Sequence, residues 1–437
     1  MPAVRRTSAL ALLLPLTLAA QERPLALTGA RIFPVAGPVI ENGTLVVQGG
    51  KILAVGAAGR VSIPAGAEVR NVSGRVLIPG LVDTHSHIGD GDAADRSSPT
   101  QGEVRILDAI DIHSDNIRRA QAGGITTVNI MPGSGHLMGG QTAYLKLRHG
   151  RTINDLLYCD DPLTGICGGF KMANGTNPRG APPWPGTRGK AAALVRERFV
   201  KALDYRRRLE LARADTTKRV ERDLEMEALV QVLEGKRVVH HHTHRYDDIL
   251  TVLRLREEFG FRVVLQHVTE GWRVAREIAA AGVPCSIILI DSPGGKLEAM
   301  NLSMDNGRIL DSAGALVAFH TDDGITDSRF FLRSAAFGVR AGLPRTRALE
   351  ALTIAGAKML DLADRVGSLE PGKDADFVLL SGDPFSIYTH VEETWAGGER
   401  VFDRGNPADR AYATGAFRLM RDLETHTDDH SDVEGGR

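Results

Sequence analysis

The chain has 437 residues, of which 43% are hydrophobic and 24% charged, and its formal net charge at pH 7 is -1. That length accommodates a barrel-sized domain plus a smaller one, and the composition is that of a globular protein. A charge so close to zero gives no electrostatic basis for binding nucleic acid or an anionic membrane. Three cysteines, Cys159, Cys167 and Cys285, form no disulfide framework and leave room for one bridge.

The N-terminus, MPAVRRTSALALLLPLTLAAQ, places Arg5 and Arg6 before an apolar run from Ala9 to Ala20. The run is shorter than the ~20 residues of a membrane span. A basic start, apolar middle and small-residue exit read as a secretory signal over residues 1–20. The expectation is an exported protein, periplasmic or extracellular, with no membrane association after cleavage.

Residues 24–79 read as strands. The stretch GTLVVQGGKILAVG alternates apolar and polar positions and breaks at Gly49-Gly50, a hairpin signal. The same texture returns over residues 366–405, in GSLEPGKDADFVLLSGDP and VEETWAGGERVFDR, with a turn at Gly397-Gly398. A small β-sandwich domain built from both chain ends is the economical reading.

Between them, residues 80–365 carry eight short apolar runs: RVLIPGLVD, ITTVNIM, TAYLKLR, ICGGFKMA, RVVHHHTH, RVVLQHV, PCSIILI and ALVAFHTD. Several are rich in Val and Ile, as strands buried on both faces are. Helical patterns such as DDILTVLRLREEFG and GWRVAREIAAAG separate the later ones, each closed by glycine. Alternation of this kind predicts an α/β fold, a (β/α)8 TIM barrel. The stretch NGTNPRGAPPWPGTRG reads as a long loop, and residues 191–235 as one or two highly charged helices. Residues 406–437 read as a C-terminal helix and a disordered acidic tail, and His426 and His430 are assigned to that solvated tail rather than to a metal.

Barrel active sites lie at the C-terminal ends of the strands. In PGLVDTHSH, His85 and His87 are two apart, so an extended chain aims both imidazoles to one face. The fourth run carries Lys171, the fifth ends in HHHTH, the sixth in His267 and the eighth in Asp322. Taken singly, each has an ordinary reading: His267 as a hydrogen-bonded histidine, Asp322 as a helix cap, Lys171 as a loop lysine. Taken together, one barrel face gathers the nitrogen and carboxylate donors that Zn²⁺ prefers. In the fifth run His240, His242 and His244 share a face and His241 points the other way. Arg245 follows directly, and its guanidinium suits either a substrate carboxylate or a structural pair. His320 lies deeper than Asp322 on the same face, as a supporting or core residue.

At this point PGLVDTHSH resembles the opening metal motif of the amidohydrolase superfamily. AGGITTVNIMPGSG, LQHVTEG and VAFHTDDG are similar to its second, sixth and eighth strands. RVGSLEPGKDADFVLLSGDPFSIYTHVEETWAGGERVFD resembles the C-terminal β segment of the imidazolonepropionase-like branch, which includes metal-dependent, prolidase-like dipeptidases. The likeness runs from about residue 25 to 405.

The resemblance implies one or two divalent metals, zinc being the expected one. His85, His87 and Asp322 would hold one, with Asp322 also the general base. His267 and His242 would hold a second, with His244 as the other candidate ligand or a substrate contact, and a carbamylated Lys171 would bridge the two. The implied activity is hydrolysis of a C–N bond in a small peptide or N-acyl amino acid by a homo-oligomeric enzyme. A cyclic-amide hydrolase or deaminase with one metal is the alternative; His244 stands where deaminases of this superfamily carry an acid. A degenerate, non-catalytic binding protein is the third reading, and all the candidate ligands being present argues against it.

Overall fold

The computed structural model describes residues 23–415 except 92, 93, 96, 216 and 292–295. The signal segment expected over residues 1–20, and the tail with His426 and His430, lie outside the described residues. Among the described residues no helix is long and apolar enough to cross a membrane.

The first five strands are β1 (Leu25–Ile32), β2 (Ile40–Gln48), β3 (Lys51–Ala57), β4 (Glu68–Asn71) and β5 (Val76–Pro79). The parallel region contributes β6 (Leu81–Ser86), β7 (Ile125–Ile130), β8 (Met138–Gln141), β9 (Ala143–Lys146), β10 (Phe170–Ala173), β11 (Val239–Thr243), β12 (Val263–His267), β13 (Cys285–Ile287) and β14 (Val317–Phe319). The last three are β15 (Phe377–Leu380), β16 (Val391–Ala396) and β17 (Glu399–Asp403).

Strands from both chain ends form one eight-stranded sheet, in the order β17-β16-β15-β5-β1-β2-β3, with β4 also on β1. The sequence reading expected a sandwich; the hydrogen bonding makes one sheet instead. The cause is β1, which pairs with β2 along one edge and with two further strands along the other. Leu25–Thr28 pairs with β4, and Arg31–Ile32 pairs with β5. The change falls at Gly29, whose φ of +85° suits glycine. Leu27, Ile32, Leu45, Leu77, Phe377 and Leu379 bury the apolar face of this sheet. Its two hairpin turns touch: a Cβ on Gly398 would lie 3.0 Å from Gly50 Cα.

The first apolar run is cut in two at Gly80. Val76–Pro79 belongs to the end-built sheet and Leu81–Ser86 opens the parallel region. A Cβ on Gly80 would lie 2.1 Å from Thr126 Oγ1, so only glycine passes there. Strands β10 to β14 are consecutive parallel neighbours, and β6 pairs parallel with β7. All residues of these strands are buried. The helices Arg188–Ala214, Leu224–Leu233, Tyr246–Phe259 and Asn306–Ser312 lie between the later strands in the chain. The molecule is thus a mixed α/β fold with a separate sheet.

The third candidate strand departs from expectation. Residues 143–146 run antiparallel to β7, and Met138–Gln141 runs antiparallel to β10. One segment therefore fills the place between β7 and β10 in reverse. The chain leaves β7 and turns back immediately, so it re-enters from the same end. Gly140, at φ +105°, lies so close to Val104 that a Cβ there would meet its carbonyl oxygen at 2.4 Å. Four-residue segments such as MGGQ and AYLK carry no mark of strand direction.

A buried ion cluster locks the sheet to this reversed strand. Lys146 Nζ, on β9, lies 2.5 Å from Asp376 and 2.9 Å from Asp374. Lys51 and Arg365 also reach Asp374, at 2.6 and 3.2 Å. Burial alone would raise the Asp374 pKa, but the surrounding cations outweigh it and hold the carboxyl at about 2, against 3.8 normally. A depressed carboxylate stabilises the fold above its unfolded pKa, and that stabilisation is lost as pH falls towards the folded value. Asp374→Asn is expected to cost about 1–3 kcal/mol at pH 7 in urea unfolding. The gap between mutant and parent should close between pH 4 and 2; a pH-independent gap would remove the electrostatic account.

Candidate metal centre

The strand ends bring the candidate residues together. His85 Nε2 lies 3.3 Å from His87 Nε2, and Lys171 Nζ lies 3.1 Å from His85 Nε2. Asp322 Oδ1 is 3.4 Å from His85 Nε2 and 3.1 Å from His87 Nε2. Its Oδ2 is 3.8 Å from His267 Nδ1. His242 packs on His267 with ring centroids 4.5 Å apart, and His244 stacks on His267 at 4.9 Å.

Three sets of donor atoms lie within 4.8 Å of one another: His85, His87 and Asp322; His242, His244 and His267; and His85, His267 and His320. All are buried. His87 Nδ1 is fixed by the Met131 carbonyl at 2.8 Å, and His244 Nδ1 lies 2.7 Å from Thr269 Oγ1. His320 Nδ1 lies 2.8 Å from Ser286 Oγ, which in turn lies 2.5 Å from Thr84 Oγ1. Such outer partners leave the other ring nitrogen to face the cluster.

Burial and neighbouring groups keep His85, His267 and His320 neutral. Burial first, then the Lys171 ammonium and neighbouring rings, push His85 well below its usual pKa. His267 is lowered by burial and by His242, His244 and His320. His320 falls to about 3, chiefly through burial. A neutral imidazole is the metal-binding form. His267 Nε2 and His85 Nδ1 are buried with no hydrogen-bond partner. The opposite nitrogens, His85 Nε2 and His267 Nδ1, are the ones beside Asp322, and the buried imidazole and carboxylate donors gathered there are a set into which a divalent cation fits.

The other sequence candidates are placed elsewhere. His240 is held inside the strand layer by Tyr144 OH at 2.9 Å and Gln266 Nε2 at 3.2 Å. His241 points to the opposite side, beside Asp248 and Leu255. Arg245 forks onto Asp247 at 3.0 and 2.9 Å and is partly exposed. Three residues escaped assignment as cluster members. His320 joins the metal-capable groups. Lys296 and Glu298 approach from the loop after β13: Lys296 Nζ lies 3.0 Å from His244 Nε2, and Glu298 Oε1 lies 3.9 Å from His242 Nε2. Nothing in the local pattern DSPGGKLEAM points to a buried carboxylate.

Comparison with known proteins now bears on this geometry. The model of the amidohydrolase family matches residues 180–402. The chain belongs to that family. It is therefore a hydrolase acting on carbon–nitrogen bonds. This amidohydrolase is 26% identical to amidohydrolase tasK of Hapsidospora irregularis over 371 residues, covering 78% of the chain but 38% of that longer protein. It is 28% identical to imidazolonepropionase of Deinococcus radiodurans over 363 residues, covering 79% of the chain and 86% of the relative. A solved amidohydrolase structure from Thermotoga maritima MSB8 superposes with a TM-score of 0.81 at 34% identity, covering 87% of this chain and all of that one.

Beneath the cluster, Asp83 accepts from the His85 N–H at 3.2 Å, the Thr321 N–H at 3.1 Å and the Thr321 hydroxyl at 2.5 Å. Asp83→Ala strands those donors in a buried layer. The expected loss is about 2–5 kcal/mol in urea unfolding, with faster loss of metal to a chelator. Unchanged stability would show that Asp83 does not tie these strands together.

Proposed function

We propose that this amidohydrolase is an exported, metal-dependent enzyme that cleaves the amide bond of a small peptide or N-acyl amino acid. The observation that carries the reading is the convergence of His85, His87 and Asp322 with Lys171, His242 and His267 at one end of the parallel strands. The frame assumed is a (β/α)8 barrel. It is supported by the Asp322 N–H bond to the His85 carbonyl at 2.9 Å and by the Thr142 N–H bond to Gly169 at 3.1 Å, which join neighbouring sheets. Export is supported by the basic-then-apolar residues 1–20 and by a Cys159–Cys167 disulfide, a bond favoured outside the cytosol.

In this reading His85, His87 and Asp322 hold one cation. His267 with His242 or His244 would hold a second, and Lys171, once carbamylated by carbon dioxide with loss of a proton from Nζ, would supply a carboxylate to both. When bound, the metal would lower the pKa of a water to about 7 and polarise the scissile carbonyl. Asp322 takes the water's proton and delivers it to the departing amine as the C–N bond breaks. His85 and His267, held neutral by burial, would remain ligands across the neutral range.

Metal per chain, measured on protein purified without chelator or metal-binding tag, tests the site. About two equivalents are expected, with Lys171→Ala lowering occupancy. About one would detach Lys171 and move the reading to a cyclic amide or deamination. None, with no activity restored by Zn²⁺ or Mn²⁺, would sink the proposal. On dipeptide and N-acyl amino acid panels, Asp322→Asn should lower kcat by roughly 10²–10⁴-fold. Activity close to the parent's would remove Asp322 as the base.

A further inference from the structure

The segment from Lys296 to Met300 reaches the metal centre from the loop after β13 and divides its side chains sharply. Glu298 is buried, while Leu297 and Met300 are 78% and 72% exposed. Glu298 Oε2 accepts the Thr176 N–H at 2.7 Å. The adjacent Gly175 sits at φ +83°, and a Cβ there would meet Glu298 Oε2 at 2.4 Å. Only glycine lets the carboxylate in, so the backbone holds it rigidly. The other oxygen, Oε1, faces the metal-capable histidines, 3.9 Å from His242 Nε2.

A cation already occupies that oxygen's surroundings. Lys296 Nζ lies 3.2 Å from Glu298 Oε1 and 3.0 Å from His244 Nε2. Arg188 is another nearby cation, 3.8 Å from Glu298 Oε2, but its Nε–H is shared between the two Asp248 oxygens at 2.8 and 3.0 Å. The two members of the Lys296–Glu298 pair differ in kind. The glutamate is short and anchored by a backbone N–H. The lysine is long and keeps 12% of its side chain exposed, against 1% for Glu298. What Lys296 presents to the carboxylate is a primary ammonium, the group that a peptide's free amino end carries.

We propose that Glu298 reads the free amino group of the substrate, with the Lys296 ammonium moving aside as that group takes its place. The class cleaved is then one with a primary ammonium beside the scissile carbonyl, an unblocked small peptide or amino acid amide rather than an N-acyl compound. The inference rests on the proposed amide hydrolysis at the histidine cluster and narrows its substrate.

The test is calorimetric binding of L-leucinamide and N-acetyl-L-leucinamide to the metal-loaded full chain. The parent should bind the free amine about tenfold to a hundredfold more tightly, the worth of a charge-assisted hydrogen bond. Glu298→Gln should weaken L-leucinamide by about the same factor, leave the acetylated amide nearly unaffected and retain metal, and Glu298→Asp should recover part of the loss. Lys296→Met removes the internal competitor and should tighten L-leucinamide. A merely structural pair predicts the opposite, since Glu298 would be left uncompensated. Equal binding of the two amides by the parent, no binding of either, equal weakening of both by Glu298→Gln, or metal loss in that variant would each overturn the proposal. Preference for the free amine without hydrolysis of any peptide would leave Glu298 in place and reject the hydrolytic reading instead.

Discussion

A buried carboxylate that accepts from two strands at once sets the geometry on which the rest depends. Asp83 lies on β6, yet two of its donors belong to Thr321, just past β14. Beside it the Asp322 N–H bonds to the His85 carbonyl. The chain separation between these residues is large, so nothing local could hold them in register. Burial pushes the Asp83 carboxyl up to about 7, against the pull of its Thr321 and His85 hydrogen bonds. The cost of burying this group is offset by three donors, as buried polar groups require. Its consequence is that His85, His87 and Asp322 arrive from opposite ends of the parallel region at one point.

The same logic of long-range polar ties recurs below the strands. Lys146 joins the reversed strand β9 to Asp374 and Asp376 beside β15, and Asp376 also accepts the Gly397 N–H at 2.6 Å. The sheet built from the two chain ends is thereby anchored to the strands that carry the histidines. Around the centre, burial works in the other direction. It lowers the pKa of His85, His267 and His320 and leaves them as neutral ligands, while the fixed partners Met131, Thr269 and Ser286 choose which nitrogen of His87, His244 and His320 is presented.

Much of this was legible in the chain because β-strand geometry has a short period. The two-residue spacing of His85 and His87, and the alternation across His240, His241 and His242, translate directly into faces. The outcome at His241, which points away from the cluster, follows that rule. The apolar runs at β10 to β14 mark buried strands for the same reason. The reversed segment at β8 and β9 was not legible, since strands of four residues carry too little pattern to show their direction. Nor was the single sheet, because one residue, Gly29, decides that β1 changes partner midway.

The sequence by itself determined which chemistry the protein carries: imidazole and carboxylate groups at the ends of apolar runs, in numbers and spacings suited to a metal, within the amidohydrolase family. Only the tertiary structure decided which of those groups meet. His320 lies with His85 and His267, while His240 is tied to Tyr144 inside the layer, although both histidines share a face with candidate ligands. Glu298 and Lys296 enter from a loop whose local pattern is silent. The physical reason is range. Side-chain direction follows from the adjacent backbone and so can be read locally. Proximity between residues a hundred or more positions apart is set by strand order, register and the closing hydrogen bonds, which exist only in the folded chain.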